Sequence, residues 1–94
     1  MRKYLDLEGF EEFILDLKID EPKTVYTEEI DGGHINAYQF KKIQFAGETI
    51  VLYDNPYAGV GTIQDSALIP IEDYIEGVFE DFEHEGEYKI FIEE

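Results

Sequence analysis

The stretch IEDYIEGVFEDFEHEGE, residues 71–87, decides the fold because it has the pattern of an amphipathic helix with a defined buried side. Its apolar residues are spaced i, i+3, i+4, i+7, i+8 and i+11, which predicts a helix over residues 71–83. The members of this stripe are Ile71, Tyr74, Ile75, Val78, Phe79 and Phe82. Gly86 predicts the end of the helix, because glycine readily adopts the left-handed conformation that follows many helices. Such a helix needs an apolar layer to pack on.

The polar side of the same helix is acidic throughout. Residues 71–87 include eight carboxylates and no Lys or Arg, and no Lys or Arg occurs anywhere from Ile43 to Tyr88. Glu72, Glu76 and Glu80 recur every four residues, which places them about 6 Å apart along the helix axis. Like charges at this spacing destabilise a helix, and acids in its last turn oppose the helix dipole. The pattern indicates a helix that accepts a local cost to present one sign of charge.

A second amphipathic helix is predicted near the start of the chain, from Asp6 to Lys18. Asp6 is a favourable N-cap residue, and Glu8 lies in the first turn, where the helix dipole favours acids. The apolar stripe of this helix comprises Leu7, Phe10, Phe13, Ile14 and Leu17. Pro22 marks the break that follows it.

Four segments rich in β-branched and aromatic residues predict strands. They are Thr24–Ile30, His34–Phe45, Thr49–Asp54 and Glu87–Ile92. Asp31, Gly32 and Gly33 predict a hairpin turn between the first two strands, because glycine adopts positive φ at little cost. The pattern as a whole predicts a single α+β domain over residues 1–94, with an antiparallel sheet of about four strands and two helices on one face. The expected order is α-β-β-β-(loop)-α-β.

Three details of the strand region carry further expectations. The apolar residues change parity near Lys41 and Lys42, which predicts a β-bulge. Thr49–Asp54 is apolar at four successive positions, which predicts a central strand buried on both faces. Residues 54–70 predict a long loop, with a short strand near residues 60–64; long loops in small domains are often functional.

The charge of the chain restricts its partners. The 94 residues include 23 acids and seven bases, for a net charge of −16. This excludes ordinary affinity for nucleic acid or for an anionic membrane, because both are bound through Lys and Arg. The natural partner is a basic protein surface. No apolar run approaches a membrane span and no signal peptide is evident, so the cytoplasm of a bacterial host is the expected compartment.

The sequence contains few residues suited to nucleophilic catalysis or to metal binding. There is no cysteine and a single serine, Ser66, so nucleophilic chemistry and thiolate metal sites are not expected. Glu80 and His84 are one helical turn apart, but two ligands are too few for a tight metal site. The expected protein is not an enzyme and uses no cofactor.

The predicted contact surface combines the acidic helix with the long loop. Tyr57 is the expected anchor, because it lies between Pro56 and Ala58 and belongs to no apolar stripe, and buried Tyr side chains often dominate binding energy. The predicted partner-binding residues are Glu72, Asp73, Glu76, Glu80, Asp81, Glu83 and Glu85 of the helix and its exit, with Asp54, Tyr57 and Asp65 of the loop.

Small, cysteine-free and strongly acidic α+β domains with a helix that repeats acids, here at Glu72, Glu76 and Glu80, resemble the DNA-mimic inhibitors of phages and mobile elements. This class includes the uracil-DNA glycosylase inhibitor, anti-restriction proteins and several anti-CRISPR proteins. The resemblance spans the chain in size and composition only, so no residue's role is carried over from it. It implies a non-enzymatic inhibitor that occupies the nucleic-acid channel of a nuclease, a CRISPR effector or a restriction effector, with carboxylates in place of phosphates.

Three alternatives remain open from the sequence. An immunity protein or antitoxin that neutralises a basic toxin nuclease would show the same charge pattern. So would an acidic interaction domain of a larger assembly. The acidic surface could also serve solubility alone, as in the proteins of halophilic organisms.

Overall fold

A six-stranded antiparallel sheet with two helices on one face forms the protein, in a computed structural model that describes residues 1–94. The elements are β1 (Arg2–Tyr4), α1 (Leu7–Leu15), β2 (Lys23–Glu29), β3 (Ile35–Phe45), β4 (Glu48–Asn55), β5 (Gly59–Ile63), α2 (Ile71–Glu83) and β6 (Tyr88–Glu93). The strand order across the sheet is β1-β6-β2-β3-β4-β5. The last strand therefore lies beside the first, and the Met1 amino group donates to the Glu94 carbonyl oxygen at 2.9 Å.

The predicted α+β class with two helices on an antiparallel sheet is confirmed, but the prediction of about four strands is wrong. The strand expected near residues 60–64 is β5, at one edge of the sheet. The other additional strand, β1, has only three residues and all of them are exposed, so it lacks the alternating pattern of a half-buried strand. It forms because β6 offers a pairing edge, with Tyr4 opposite Phe91.

The apolar core lies between the helices and one face of the sheet. Phe10 of α1 and Phe82 of α2 both contact Phe40 of β3, at ring-centroid distances of 5.9 and 5.6 Å. Phe82 also contacts Tyr38 and Tyr53, at 4.9 and 5.9 Å. The buried members of the stripe predicted for α2 are Ile75, Val78, Phe79 and Phe82. The helical periodicity in the sequence thus identified the buried side of α2.

The predicted β-bulge in β3 is wrong. Pairing of β3 with β4 is regular through the suspected position, with Lys41 opposite Leu52 and Lys42 opposite Val51. The change of apolar parity reflects a change of sheet face. Phe40 is fully buried under the helices, whereas Phe45, five residues later, lies on the opposite face and is 67% exposed.

The strand predicted at Thr49–Asp54 is an interior strand, paired with β3 and β5, but the expectation that it is buried on both faces is wrong. Its helix-facing residues Val51 and Tyr53 are buried, but Ile50 and Leu52 on the other face are only half-buried. No helix covers that face, and β4 is next to the edge strand β5. Consecutive apolar residues in this strand serve one packed face and one open face.

The predicted bounds are confirmed for α2, which spans Ile71–Glu83, whereas α1 ends earlier than predicted. Asp6 caps α1 as expected, with its Oδ1 accepting from the Gly9 N–H at 2.8 Å, but the helix stops at Leu15. Helix α2 stops at Glu83 and is followed by three residues with positive φ: His84 at 47°, Glu85 at 58° and Gly86 at 83°. The left-handed conformation therefore begins two residues before the predicted glycine. Neither helix has the length and apolar content needed to cross a membrane.

Strand β5 is an unusual edge strand. Its sequence, GVGTI, has no charge and no proline, the two features that commonly protect sheet edges from further pairing. Val60 is 69% exposed on the open face. Gly61 lies directly under the Tyr53 ring: a Cβ atom at Gly61 would be 2.4 Å from Cζ of Tyr53. Glycine at this position permits the ring to pack against the edge backbone.

Candidate partner-binding surface

The helical layer of the protein carries charge of a single sign. Helix α1 contains three carboxylates and α2 contains six, and neither helix contains Lys or Arg. Six of the seven cations of the chain lie in strands β1, β2, β3 and β6. The helices therefore carry acids alone, whereas the strands carry six bases together with five acids.

The carboxylates of α2 take no part in ion pairs. The five ion pairs of the structure all lie outside the helices, the closest being Lys23 with Glu21 at 3.1 Å and Arg2 with Glu28 at 3.2 Å. The pKa of Glu28 is lowered, first by the hydrogen bond from Tyr4 and then by the charge of Arg2. Three of the strand cations, Arg2, Lys3 and Lys23, pair with acids outside the helices, and the carboxylates of α2 are left without an ion pair.

Four of the predicted binding residues form one row along α2, here called the acidic ladder: Glu72, Glu76, Glu80 and Glu83. At about 100° of rotation per residue, they fall within an arc of about 80° on the helix surface. Their flank is the one nearest α1, because Phe79, on the same side of α2, contacts Phe10 of α1 at a ring-centroid distance of 5.5 Å. Asp73 is exposed beside the ladder in the first turn.

Asp81 lies on the opposite flank of α2, together with the predicted anchor Tyr57. Tyr57 is 59% exposed in the turn between β4 and β5, and its hydroxyl contacts Nδ1 of His84 and lies 3.3 Å from the Asp81 carbonyl oxygen. Asn55 holds this turn, with its Oδ1 accepting from the Tyr57 N–H at 2.7 Å. The structure therefore brings the turn and the end of α2 into one surface.

The remaining predicted residues lie elsewhere. Asp54 is in β4 on the face opposite the helices, where its Oδ2 accepts from the Gln39 N–H at 3.1 Å. Asp65 is exposed after β5, and Glu85 is exposed in the left-handed turn after α2. The predicted loop over residues 54–70 is in fact a hairpin and a connection, which separates Asp54 from the acidic helix.

A cleft at the C-terminal end of α2 was not anticipated from the sequence. This cleft, here called the terminal cleft, has a volume of about 350 Å³. Its lining residues are Thr27, Asn36, Tyr38, Pro56, Tyr57, Asp81, Phe82, His84 and Tyr88. The floor includes Thr27, the only buried polar residue in the chain. The sequence offered no signal for it, because Tyr38 and Tyr88 share the parity of the core residues and only the structure shows that they are half-buried.

Negative groups dominate the surroundings of the terminal cleft. Burial raises the pKa of the Tyr57 hydroxyl, and the charge of Asp81 raises it further. The Tyr57 hydroxyl is therefore neutral and able to donate a hydrogen bond at physiological pH. Glu87 lies nearby, with its Oε2 3.4 Å from Nε2 of His84.

Comparison of the chain with known protein families, with curated proteins and with solved structures found no match. No group of three or more His, Asp or Glu side chains is arranged to hold a metal ion. The unpaired acids of α2 and the terminal cleft are therefore the features that bear on function.

We expect salt to stabilise the fold. Raising NaCl from about 0.01 M to about 1 M shortens the screening length from about 30 Å to about 3 Å, which weakens repulsion along α2. Repulsion within four like-charge pairs at i+3 or i+4 in α2 destabilises the fold by about 1 kcal/mol in total at low salt. For a domain of this size, that predicts a rise in Tm of about 4–8 °C by circular dichroism.

The matched control for this prediction is the Glu76→Lys variant, which replaces repulsion by attraction within the acidic ladder. Its Tm should rise less with NaCl than that of the wild type. A wild-type Tm that is constant or falls over the same range contradicts the prediction.

Proposed function

We propose that this protein is a non-enzymatic inhibitor that binds the basic, nucleic-acid-binding surface of a partner protein and excludes the nucleic acid. The observation that carries the proposal is the absence of any ion pair to the six carboxylates of α2. Repulsion among the carboxylates destabilises such a helix unless an external cation offsets it. A groove lined with Lys and Arg provides such cations at a spacing of a few ångströms.

The acidic ladder matches a basic groove that binds nucleic acid, both in the sign of its charge and in the spacing of its carboxylates. Glu72, Glu76 and Glu80 are spaced about 6 Å apart along a rigid helix, close to the spacing of successive phosphates on one strand. Charge of this kind accelerates encounter, but each exposed pair contributes only about 0–1 kcal/mol of affinity. A tight complex therefore also needs an anchor that becomes buried, and Tyr57 at the edge of the terminal cleft meets that need.

Affinity capture followed by competition tests the proposal. The immobilised protein should retain a basic nucleic-acid-binding protein from a bacterial lysate, and duplex DNA or RNA should displace it. The captured protein, once purified, should lose affinity for its nucleic acid in proportion to added inhibitor. If it still binds its nucleic acid with unchanged affinity while in the complex, the proposal is wrong.

We expect Glu76→Gln with Glu80→Gln to slow association with that partner at low salt while leaving the fold intact, because both side chains are exposed. Stopped-flow or surface plasmon resonance measures the rate constant. Tyr57→Ala should instead speed dissociation. The control is Asp31→Asn with Glu48→Gln, which removes the same charge from exposed turn and strand positions. Equal slowing in both double variants would show that net charge, and not the ladder, governs association.

A further inference from the structure

We infer that the terminal cleft is a binding site for a single cationic side chain, a guanidinium or an ammonium group, presented by the partner. The inference rests on the proposed function, because it supplies the anchoring contact that the acidic ladder cannot. The cleft volume of about 350 Å³ is at the lower end of ligand sites, which suits one long side chain.

The walls of the terminal cleft are aromatic. Tyr38, Tyr57, Tyr88 and the His84 ring all line it, and the His84 ring centroid is 5.6 Å from that of Tyr57 and 6.1 Å from that of Tyr88. Rings grouped around a small space attract a cation through their negative faces, which is how aromatic cages bind ammonium groups. The cleft therefore favours a cation over a neutral polar group.

Fixed negative charge reinforces this preference. Asp81 lines the cleft, and Glu87 lies beside the His84 ring. The C-terminal end of α2, which carries partial negative charge, faces the same space and has no basic residue in its last turn. A guanidinium or ammonium group here would meet a carboxylate, carbonyl oxygens and aromatic faces together.

The other two sizeable clefts of the protein differ in one respect that decides the choice. One is lined by Lys3, Lys18 and Lys23, and the other by Lys3 and Lys89. Both already have cations of the chain in their walls. The terminal cleft has neither Lys nor Arg among its lining residues, so its negative groups are available to an external cation.

The left-handed turn after α2 shapes the entrance. His84 and Glu85 have φ values of 47° and 58°, in a region that residues other than glycine rarely adopt. Such strain persists where surrounding contacts impose it, and it often occurs at binding sites. Here the turn places the His84 ring in contact with the Tyr57 hydroxyl, and both residues line the cleft.

Titration with L-argininamide, followed by two-dimensional NMR of the ¹⁵N-labelled protein, tests the inference without the partner. We expect saturable shifts at Asp81, His84 and Tyr88. L-Citrullinamide, which has the same α-amino group but a neutral side chain, should bind several-fold more weakly. Asp81→Asn and Tyr88→Leu should each weaken argininamide binding several-fold, whereas Asp73→Asn, with the same charge change elsewhere on α2, should leave it almost unchanged.

Three results would overturn the inference: no saturable shifts, equal binding of citrullinamide, or equal weakening by Asp73→Asn. They are distinguishable from failure of the proposed function. If the cleft does not bind argininamide but the protein still captures a basic partner through the ladder, the proposed function survives alone. If argininamide binds and no captured protein loses nucleic-acid affinity, the cation site stands without that function.

Discussion

Phe82→Ala should lower the free energy of unfolding by about 3–5 kcal/mol, because it removes a large side chain from a fully packed position. Phe82 is 2% exposed and contacts the rings of Phe10, Phe40, Tyr38 and Tyr53 from a single position in α2. A domain of this size has about 5–15 kcal/mol of stability in total. The loss is therefore a large fraction of the whole, and urea denaturation followed by circular dichroism measures it.

The matched control is Phe45→Ala, the same chemical change on the open face of the sheet. Phe45 is 67% exposed, so its replacement should cost less than about 1 kcal/mol. Similar losses in the two variants would contradict the placement of the core on the helical side. A less cooperative unfolding transition in Phe82→Ala would show that this side chain couples α1, α2, β3 and β4.

Gly61→Ala should destabilise the protein by about 1–3 kcal/mol, the cost typical of an overpacked site. The added Cβ would approach the Tyr53 ring to 2.4–2.6 Å, and Tyr53 itself is held between Phe40 and Phe82. The ring has little room to move, because its stack with Phe40 has a centroid distance of 5.3 Å. Denaturant unfolding again provides the measurement.

Gly77→Ala is the control for the glycine substitution and should act in the opposite direction. Gly77 lies in the interior of α2 on its exposed side, and a Cβ there would have no neighbour within 4 Å. Alanine is favoured over glycine in a helix by about 1 kcal/mol. If Gly61→Ala is neutral or Gly77→Ala is destabilising, the packing described for these two positions is wrong.

The sequence predicted those parts of the fold that depend on local periodicity. The α2 stripe ending at Phe82 identified both the helix and its buried face, because six apolar residues at helical spacing are incompatible with the two-residue period of a strand. The parity change in β3 was ambiguous. A bulge and a change of face produce the same pattern, and only knowledge that no helix covers the side of Phe45 separates them.

The sequence did not reveal features that depend on distant pairing. β1 exists because β6, at the other end of the chain, offers it a partner. The terminal cleft combines residues from β2, β3, the β4–β5 turn, α2 and β6, so no segment contains its signal. Tyr57 and Asp81 were both predicted as contact residues, and the structure places them side by side, while it places Asp54 on the opposite face. Charge composition led to α2 as the predicted contact helix, whereas the grouping of Tyr57 with Asp81 depends on tertiary packing.

The unprotected edge at β5 gives the net charge a role in preventing aggregation. GVGTI offers unpaired backbone groups and an exposed Val60 to any other strand, with no local barrier to sheet extension. Two copies that approach edge to edge would bring their α2 helices together, each with six carboxylates, since α2 packs against β5. Resistance to aggregation therefore depends on long-range repulsion between molecules and not on protective residues in the edge strand. High ionic strength screens the repulsion within α2 and also the repulsion between molecules. Thermal stability and resistance to aggregation therefore respond to salt in opposite directions.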